Sequence, residues 1–335
     1  MKRLQYAAAA LLILLILFGG AAMQPKSCRE TVYSLDTVIT LTAYGKNAKN
    51  GIRAAIDRIE EIDEKVSAYK AESDIGRINS APCGTSVAVS EETFSLLCRA
   101  QEFSRMTDGL FDFTLKPLAD LWGIGTDRAR VPSQEEIDAA LEKTGWESVR
   151  LSEDSQTVTL EKEGMGLDLG GIAKGYASEE AARVLKEHGV ENACLDLGGN
   201  VVVIGKKPLG LFDSIRNGGR FLPFTVGIQE PGAARGQICR KLTMEGDGCV
   251  VTSGDYERYF EENGVRYHHI FDPRTGRPAA GSVRSATVIG TDATAADALS
   301  TVFFILGNDA DGRWKEYYRD TFFVREKETV SAERK

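Results

Sequence analysis

Hydrophobic positions along this chain alternate between two periods. Residues 36–44 (DTVITLTAY), rich in Thr, Val and Ile, predict a strand. Ile52, Ile56, Ile59, Ile62 and Val66 then recur at helical spacing and predict an amphipathic helix of about five turns. A second helix is predicted over 90–107, with Phe94, Leu97 and Ala100 on one face. Ser133 and Glu136 form a capping-box signature that starts a third, running to Lys143 before Gly145. Short strands follow around Val149 and over 157–161. Leu167-Asp-Leu-Gly-Gly171 leads into a helix from about 173 to 188, stopped by Gly189. A strand at 193–197, a Gly198-Gly199-Asn200 turn and a returning strand at 201–204 come next. Residues 206–222 are basic, glycine-containing and aperiodic, which predicts a surface loop. The remaining predicted elements are a strand at 224–228, a helix around 255–263, a strand at 285–289, a helix from about 295 to 306, and a strand at 321–324. Strands and helices mix without a regular βαβ repeat, so the expected fold class is mixed α/β (α+β).

The first 22 residues follow a different pattern. Lys2 and Arg3 precede an apolar run from Ala7 to Phe18, and small residues follow as far as Ala22. This is the layout of a signal peptide, or of an uncleaved N-terminal membrane anchor over 7–23 with its basic end in the cytoplasm. The expected location is therefore extracytoplasmic, either anchored at the cell membrane or secreted. Pro25-Lys26-Ser27 before Cys28 lacks the small and aliphatic pattern of a lipidation box, so a lipoprotein is not expected. Six cysteines at 28, 83, 98, 194, 239 and 249 show no metal-ligand spacing. The formal net charge is −8, and removing Lys2 and Arg3 takes it to −10. The acidic balance of the chain argues against a nucleic-acid partner.

Three groups of residues carry candidate chemistry. Asp297 and Thr301 stand four apart in a predicted helix, so a carboxylate and a hydroxyl share one face. Mg²⁺ prefers such hard oxygen ligands, completed by substrate phosphates. An Asp favoured by a helix dipole beside a satisfied Thr would give the same spacing. The segment Asp168-Leu-Gly-Gly-Ile-Ala-Lys-Gly-Tyr176 is a glycine-rich turn opening a helix, a ready anion site to which Lys174 adds a cation. It has neither P-loop nor GxGxxG spacing, and close-packing glycines are the plainer account. Two of the three histidines, His268 and His269, precede the turn sequence Asp272-Pro-Arg-Thr-Gly276, which brings a group suited to general-base work beside a tight turn.

Taken together and in order, these segments resemble the ApbE family of FAD:protein FMN transferases. The resemblance is carried by Ser67-Ala-Tyr69 with Ser73-Asp-Ile-Gly-Arg-Ile-Asn79, Thr107-Asp-Gly-Leu-Phe-Asp112 through Leu121-Trp-Gly-Ile-Gly125, Asp168 to Tyr176, and Asp196-Leu-Gly-Gly-Asn200. It continues through Thr252-Ser-Gly-Asp-Tyr256, His269-Ile-Phe-Asp-Pro-Arg-Thr-Gly276 and Ala296-Asp297-Ala-Leu-Ser-Thr301. It implies a single catalytic domain of two joined lobes over 31–325, followed by a charged tail at 326–335.

The same resemblance implies that Asp297, Thr301 and the main-chain carbonyl of Gly171 bind Mg²⁺. Tyr69, Leu110, Phe111, Asp112, Asp168 and Lys174 would line the FAD pocket, with Phe271 against an aromatic ring. His269 would act as base or orienter, and Asp297 would be catalytic through the metal. Leu35-Asp36-Thr37 stands where the family commonly has Met-Gly-Thr, and Leu35 matches the volume of Met at a flavin contact. The implied reaction moves FMN from FAD onto a Ser or Thr hydroxyl of an exported acceptor protein and releases AMP. Two other readings stand beside it: hydrolysis of FAD to FMN and AMP in the same site, and flavin binding without catalysis. The 206–222 segment is longer than the resemblance accounts for.

Overall fold

The computed structural model describes residues 25–234 and 236–326. The predicted leader or anchor at 1–22 and the tail beyond Glu326 lie outside them. Among the described residues, no helix is long and apolar enough to cross a membrane. Seven strands form the central sheet: Ser27–Ser34, Thr37–Tyr44, Asn192–Leu197, Asn200–Ile204, Gly248–Gly254, Val283–Gly290 and Asp320–Arg325. Their spatial order follows the chain, and every neighbouring pair is antiparallel. This is the mixed α/β class expected from the sequence.

The two-residue period of the strands decides what each face meets. Ile39, Leu41, Ala43, Ala193, Leu195, Leu197, Val202, Ile204, Cys249 and Val251 point into the main core. The helices Ala48–Val66, Ala173–Glu187 and Ala293–Leu306 cover that face. Ile52, Ile56, Ile59, Ile62 and Val66 are all buried there, as their spacing predicts. The alternate residues Val203 and Val250 meet Phe224, Val226 and Met244 from a hairpin of Phe224–Gln229 and Ile238–Met244 laid on the opposite face. A smaller core gathers Leu118, Trp122, Ile137, Ala140 and Phe271. Trp122 Nε1 donates to the Gly276 carbonyl at 2.9 Å, fixing the Asp272–Gly276 turn. The helix Gln134–Leu141 starts on the expected capping box: Ser133 Oγ accepts from Glu136 N–H, and Glu136 Oε2 accepts from Ser133 N–H.

Several elements differ from the sequence expectation. Residues 255–263 are not a helix: Tyr259–Glu262 runs antiparallel to Val265–His268, with Tyr259 opposite His268. The polar run does suit a helix, but Asn263 and Gly264 adopt φ of 52° and 78° and close a two-residue turn, which the Asn-Gly pair favours. Ser27–Ser34 gives no strand signal because it is an edge strand with mostly exposed residues. The short helices Asp74–Ser80 and Lys116–Trp122 are also absent from the expectation, being too brief for a periodic signal. Residues 206–222 are a surface excursion as expected, but an organised one. Lys207–Pro208 pairs with Phe221–Leu222, and the helix Leu211–Asn217 forms the tip.

Candidate functional site

Two antiparallel helices build the centre of the site. The helix Ala173–Glu187 begins with orphan N–H groups, as every helix does. One of them, Gly175 N–H, donates to Asp297 Oδ2 on the helix Ala293–Leu306 at 2.8 Å. Four residues along, Glu179 Oε1 accepts from Ala293 N–H at 2.5 Å, and its Oε2 accepts from Thr294 Oγ1 at 2.6 Å. One turn the other way, a Cβ on Gly171 would lie 3.9 Å from Thr301 Oγ1. The pairs 171/301, 175/297 and 179/293 are thus successive rungs between the helices. Gly175 permits the approach, because a Cβ there would lie 2.2 Å from the Ala293 carbonyl oxygen. Glycine at 171 has a similar cause: a Cβ would meet the Phe111 ring at 3.1 Å.

The structure therefore brings Gly171, Asp297 and Thr301 together. Asp297 is buried, with Oδ1 3.9 Å from Lys174 Nζ. Lys174 Nζ also donates to the Gly170 carbonyl at 3.0 Å. Thr301 Oγ1 lies 3.3 Å from Ser253 Oγ, which in turn sits 2.7 Å from Ser300 Oγ. Asp168 Oδ1 accepts from Gly170 N–H at 2.8 Å and so shapes the turn that opens the helix.

Tyr69, 61% exposed, has the Lys116 ammonium 5.0 Å from its ring centre. Desolvation and the nearby Asp168 and Asp120 carboxylates push its phenol above the ordinary range. Leu35 sits in the two-residue turn between the first two strands, where it and Asp36 take φ of 50° and 56°. The Gly198 turn abuts this one, with room for no side chain: a Cβ would lie 2.0 Å from Thr37 Oγ1.

His269 is half-buried, and its Nδ1 lies 3.2 Å from the Arg258 carbonyl oxygen. A proton on Nδ1 satisfies that contact and leaves Nε2 with a lone pair. Desolvation, then the charges of Arg258 and Lys174, lower its pKa to about 3. Both cations therefore act on the ring.

The other expected site residues also make framework contacts. Asp112 Oδ1 accepts from Thr114 N–H and Oγ1 at 2.8 and 2.7 Å, and burial raises its pKa. Leu110 packs at the edge of the main core, and Phe111 is buried within it. Phe271 is buried in the smaller core, its ring centre 6.1 Å from that of Trp122. Sequence reasoning did not single out Ser253, Glu179 or Arg258. Arg258 reaches within 4.0 Å of Asp36 and closes on the hairpin turn. Ser253 lies within a segment already noted, but only the sheet register shows that it faces Thr301.

Residues 35–322 match the model of the ApbE family. A FAD:protein FMN transferase of Treponema pallidum is 34% identical over 299 residues, covering 86% of this chain and 81% of its relative. Another of Klebsiella pneumoniae is 37% identical over 249 residues, covering 74% and 73%. Among solved structures, the ApbE protein of Thermotoga maritima aligns with a TM-score of 0.79 at 35% identity, covering 90% of this chain and 94% of its own. The flavinyl transferase ApbE of Pseudomonas stutzeri aligns with a TM-score of 0.75 at 29% identity, covering 91% and 92%.

The close rung at Gly175 and the depressed pKa of His269 can each be tested. Gly175→Ala should cost about 1–3 kcal/mol in denaturant unfolding, because the added methyl forces the helices apart; unchanged stability would contradict the close rung. His269 should titrate far below the usual histidine range when followed by NMR in the free protein. Its depressed pKa contributes stability that is present above about 6.5 and lost as pH falls towards 3. A midpoint near 6.5 would contradict its placement.

Proposed function

Because this chain belongs to the ApbE family, we propose that the site takes FAD as substrate and transfers its FMN moiety to a hydroxyl of an acceptor protein. The observation that carries the reading is the pair of successive rungs Gly171/Thr301 and Gly175/Asp297 beside Lys174. One carboxylate, one hydroxyl and one carbonyl form a hard oxygen donor set that suits Mg²⁺ when substrate phosphates complete the shell. Mg²⁺ held there would neutralise charge on the pyrophosphate as its P–O bond breaks.

The chain's own residues account for the remaining steps. Lys174 and the opening turn of its helix attract the anionic pyrophosphate. The acceptor Ser or Thr oxygen attacks the FMN phosphorus and forms the new P–O bond, while the bond to the AMP oxygen breaks and AMP leaves with that electron pair. His269 Nε2, left with a lone pair, would take the hydroxyl proton, and the arriving dianionic pyrophosphate would raise its proton affinity from the depressed value of the free protein. Tyr69 and Leu35 supply the flavin-facing surface. The sequence of residues 1–22 supports an extracytoplasmic, membrane-associated enzyme acting on an exported acceptor.

Two variants test the roles separately. Asp297→Ala should reduce AMP release by at least about a hundredfold and abolish its dependence on Mg²⁺; full activity would remove the metal assignment. Lys174→Ala should weaken FAD binding by about tenfold in a fluorescence titration; unchanged affinity would remove Lys174 from the phosphate site.

A further inference from the structure

The 206–222 excursion takes no part in the site, and its surface is unusual for this chain. Phe212, Ile215, Phe221 and Leu222 are 44%, 72%, 51% and 37% exposed. Phe212 and Ile215 stand three apart on the helix Leu211–Asn217 and share a face. Within 206–222, Lys206, Lys207, Arg216 and Arg220 stand against the single acid Asp213, in a chain whose net charge is −8, and Asp247 adjoins the base of the excursion by accepting from Gly205 N–H at 2.7 Å. Lys206 lies 3.6 Å from Glu245. Lys207, Arg216 and Arg220 form no salt bridge with a carboxylate among the described residues.

The central sheet has two ends, and the excursion and the site lie at opposite ones. The hairpin turn at Leu35–Asp36, the Gly198–Gly199 turn and Ser253 lie at the end that holds the site. The excursion leaves from the other: Lys206 N–H donates to Asn192 Oδ1 at 3.0 Å, and Asn192 pairs with Tyr44. Tyr44 pairs with Ser27, and Gly45 N–H donates to the Lys26 carbonyl. The chain therefore arrives from residues 1–24 beside the base of the excursion, about 10 Å away across the strands. Strands of five to eight residues separate this end from the site by about 15–25 Å. An acceptor hydroxyl must reach the site, so this patch is poorly placed to dock it.

We propose that the 206–222 excursion docks on an anionic lipid bilayer, its four apolar side chains entering the interface and its basic residues facing the headgroups. Apolar side chains ringed by Lys and Arg bind such surfaces through burial and charge together. The arrangement turns the site away from the membrane and towards a soluble acceptor domain. It builds on the membrane-associated location proposed above, but draws on different residues.

Every residue of the three apolar clusters lies between Cys28 and Phe323, so a chain starting at Pro25 retains its whole core. That fragment lacks the apolar run at 7–23, and any vesicle binding belongs to the excursion. It should co-sediment with phosphatidylcholine vesicles containing phosphatidylglycerol, less with phosphatidylcholine alone, and less as salt rises. Phe212→Ser with Ile215→Ser should weaken binding by about tenfold or more while FMN transfer is retained, which shows the variant is folded. No binding to either vesicle, or binding unchanged in the variant, would overturn the proposal. So would a lipid-free dimer lost in the same variant, which would give the patch to a second copy. Extraction of the full chain from membranes by alkaline carbonate would defeat the anchor at 7–23 without touching the docking surface.

Discussion

The hydrogen bond from Gly175 N–H to Asp297 is the interaction on which the site depends. A buried carboxylate is costly unless it is compensated, and here the compensation comes from a helix N-terminus and the adjacent Lys174. The same bond satisfies a backbone donor that its own helix cannot pair. Glu179 does the same for the other helix by accepting from Ala293 and Thr294, while Asp292 caps Ala295 N–H. Each helix thus supplies an acid that pairs the free donors of its neighbour. The arrangement fixes helix register to one turn, and with it the distance between Gly171 and Thr301.

The sheet explains why these groups share one end. Its antiparallel strands return repeatedly to the same edge, so Leu35, Gly198 and Ser253 arrive beside one another from distant parts of the chain. The helices run along the strands, which places Gly171 and Thr301 at that edge and Ala293 away from it. A half-buried ion network reinforces the frame: Arg58 bonds Glu180 at 2.8 Å and pairs with Glu92, which also accepts from Tyr176 Oη at 2.7 Å. Three helices are joined through it, including the one that carries Lys174.

Long periodic elements were legible in the sequence because burial imposed their pattern. The isoleucines of Ala48–Val66 and the capping box at Ser133 are examples. The edge strand Ser27–Ser34 was not, since exposure leaves no alternation to read. The helix expected at 255–263 failed because turn chemistry at Asn263-Gly264 outweighed a polar run of helix-compatible residues. Within the site, the Asp297/Thr301 spacing was visible, but its partners were not. Gly175, Glu179 and Ser253 acquire their roles only from the packing of one helix on another and from sheet register. The packing of the Phe271 ring beside Trp122 in the smaller core was likewise not visible in the sequence.

The central claim is that this site joins FMN to a protein hydroxyl. Tandem mass spectrometry of a candidate acceptor protein, incubated with the enzyme, FAD and Mg²⁺, tests it most directly. The expected result is an FMN phosphodiester on one Ser or Thr peptide, formed together with AMP and absent when the metal is chelated. Free FMN and AMP beside an unmodified acceptor would contradict it and make the enzyme a hydrolase.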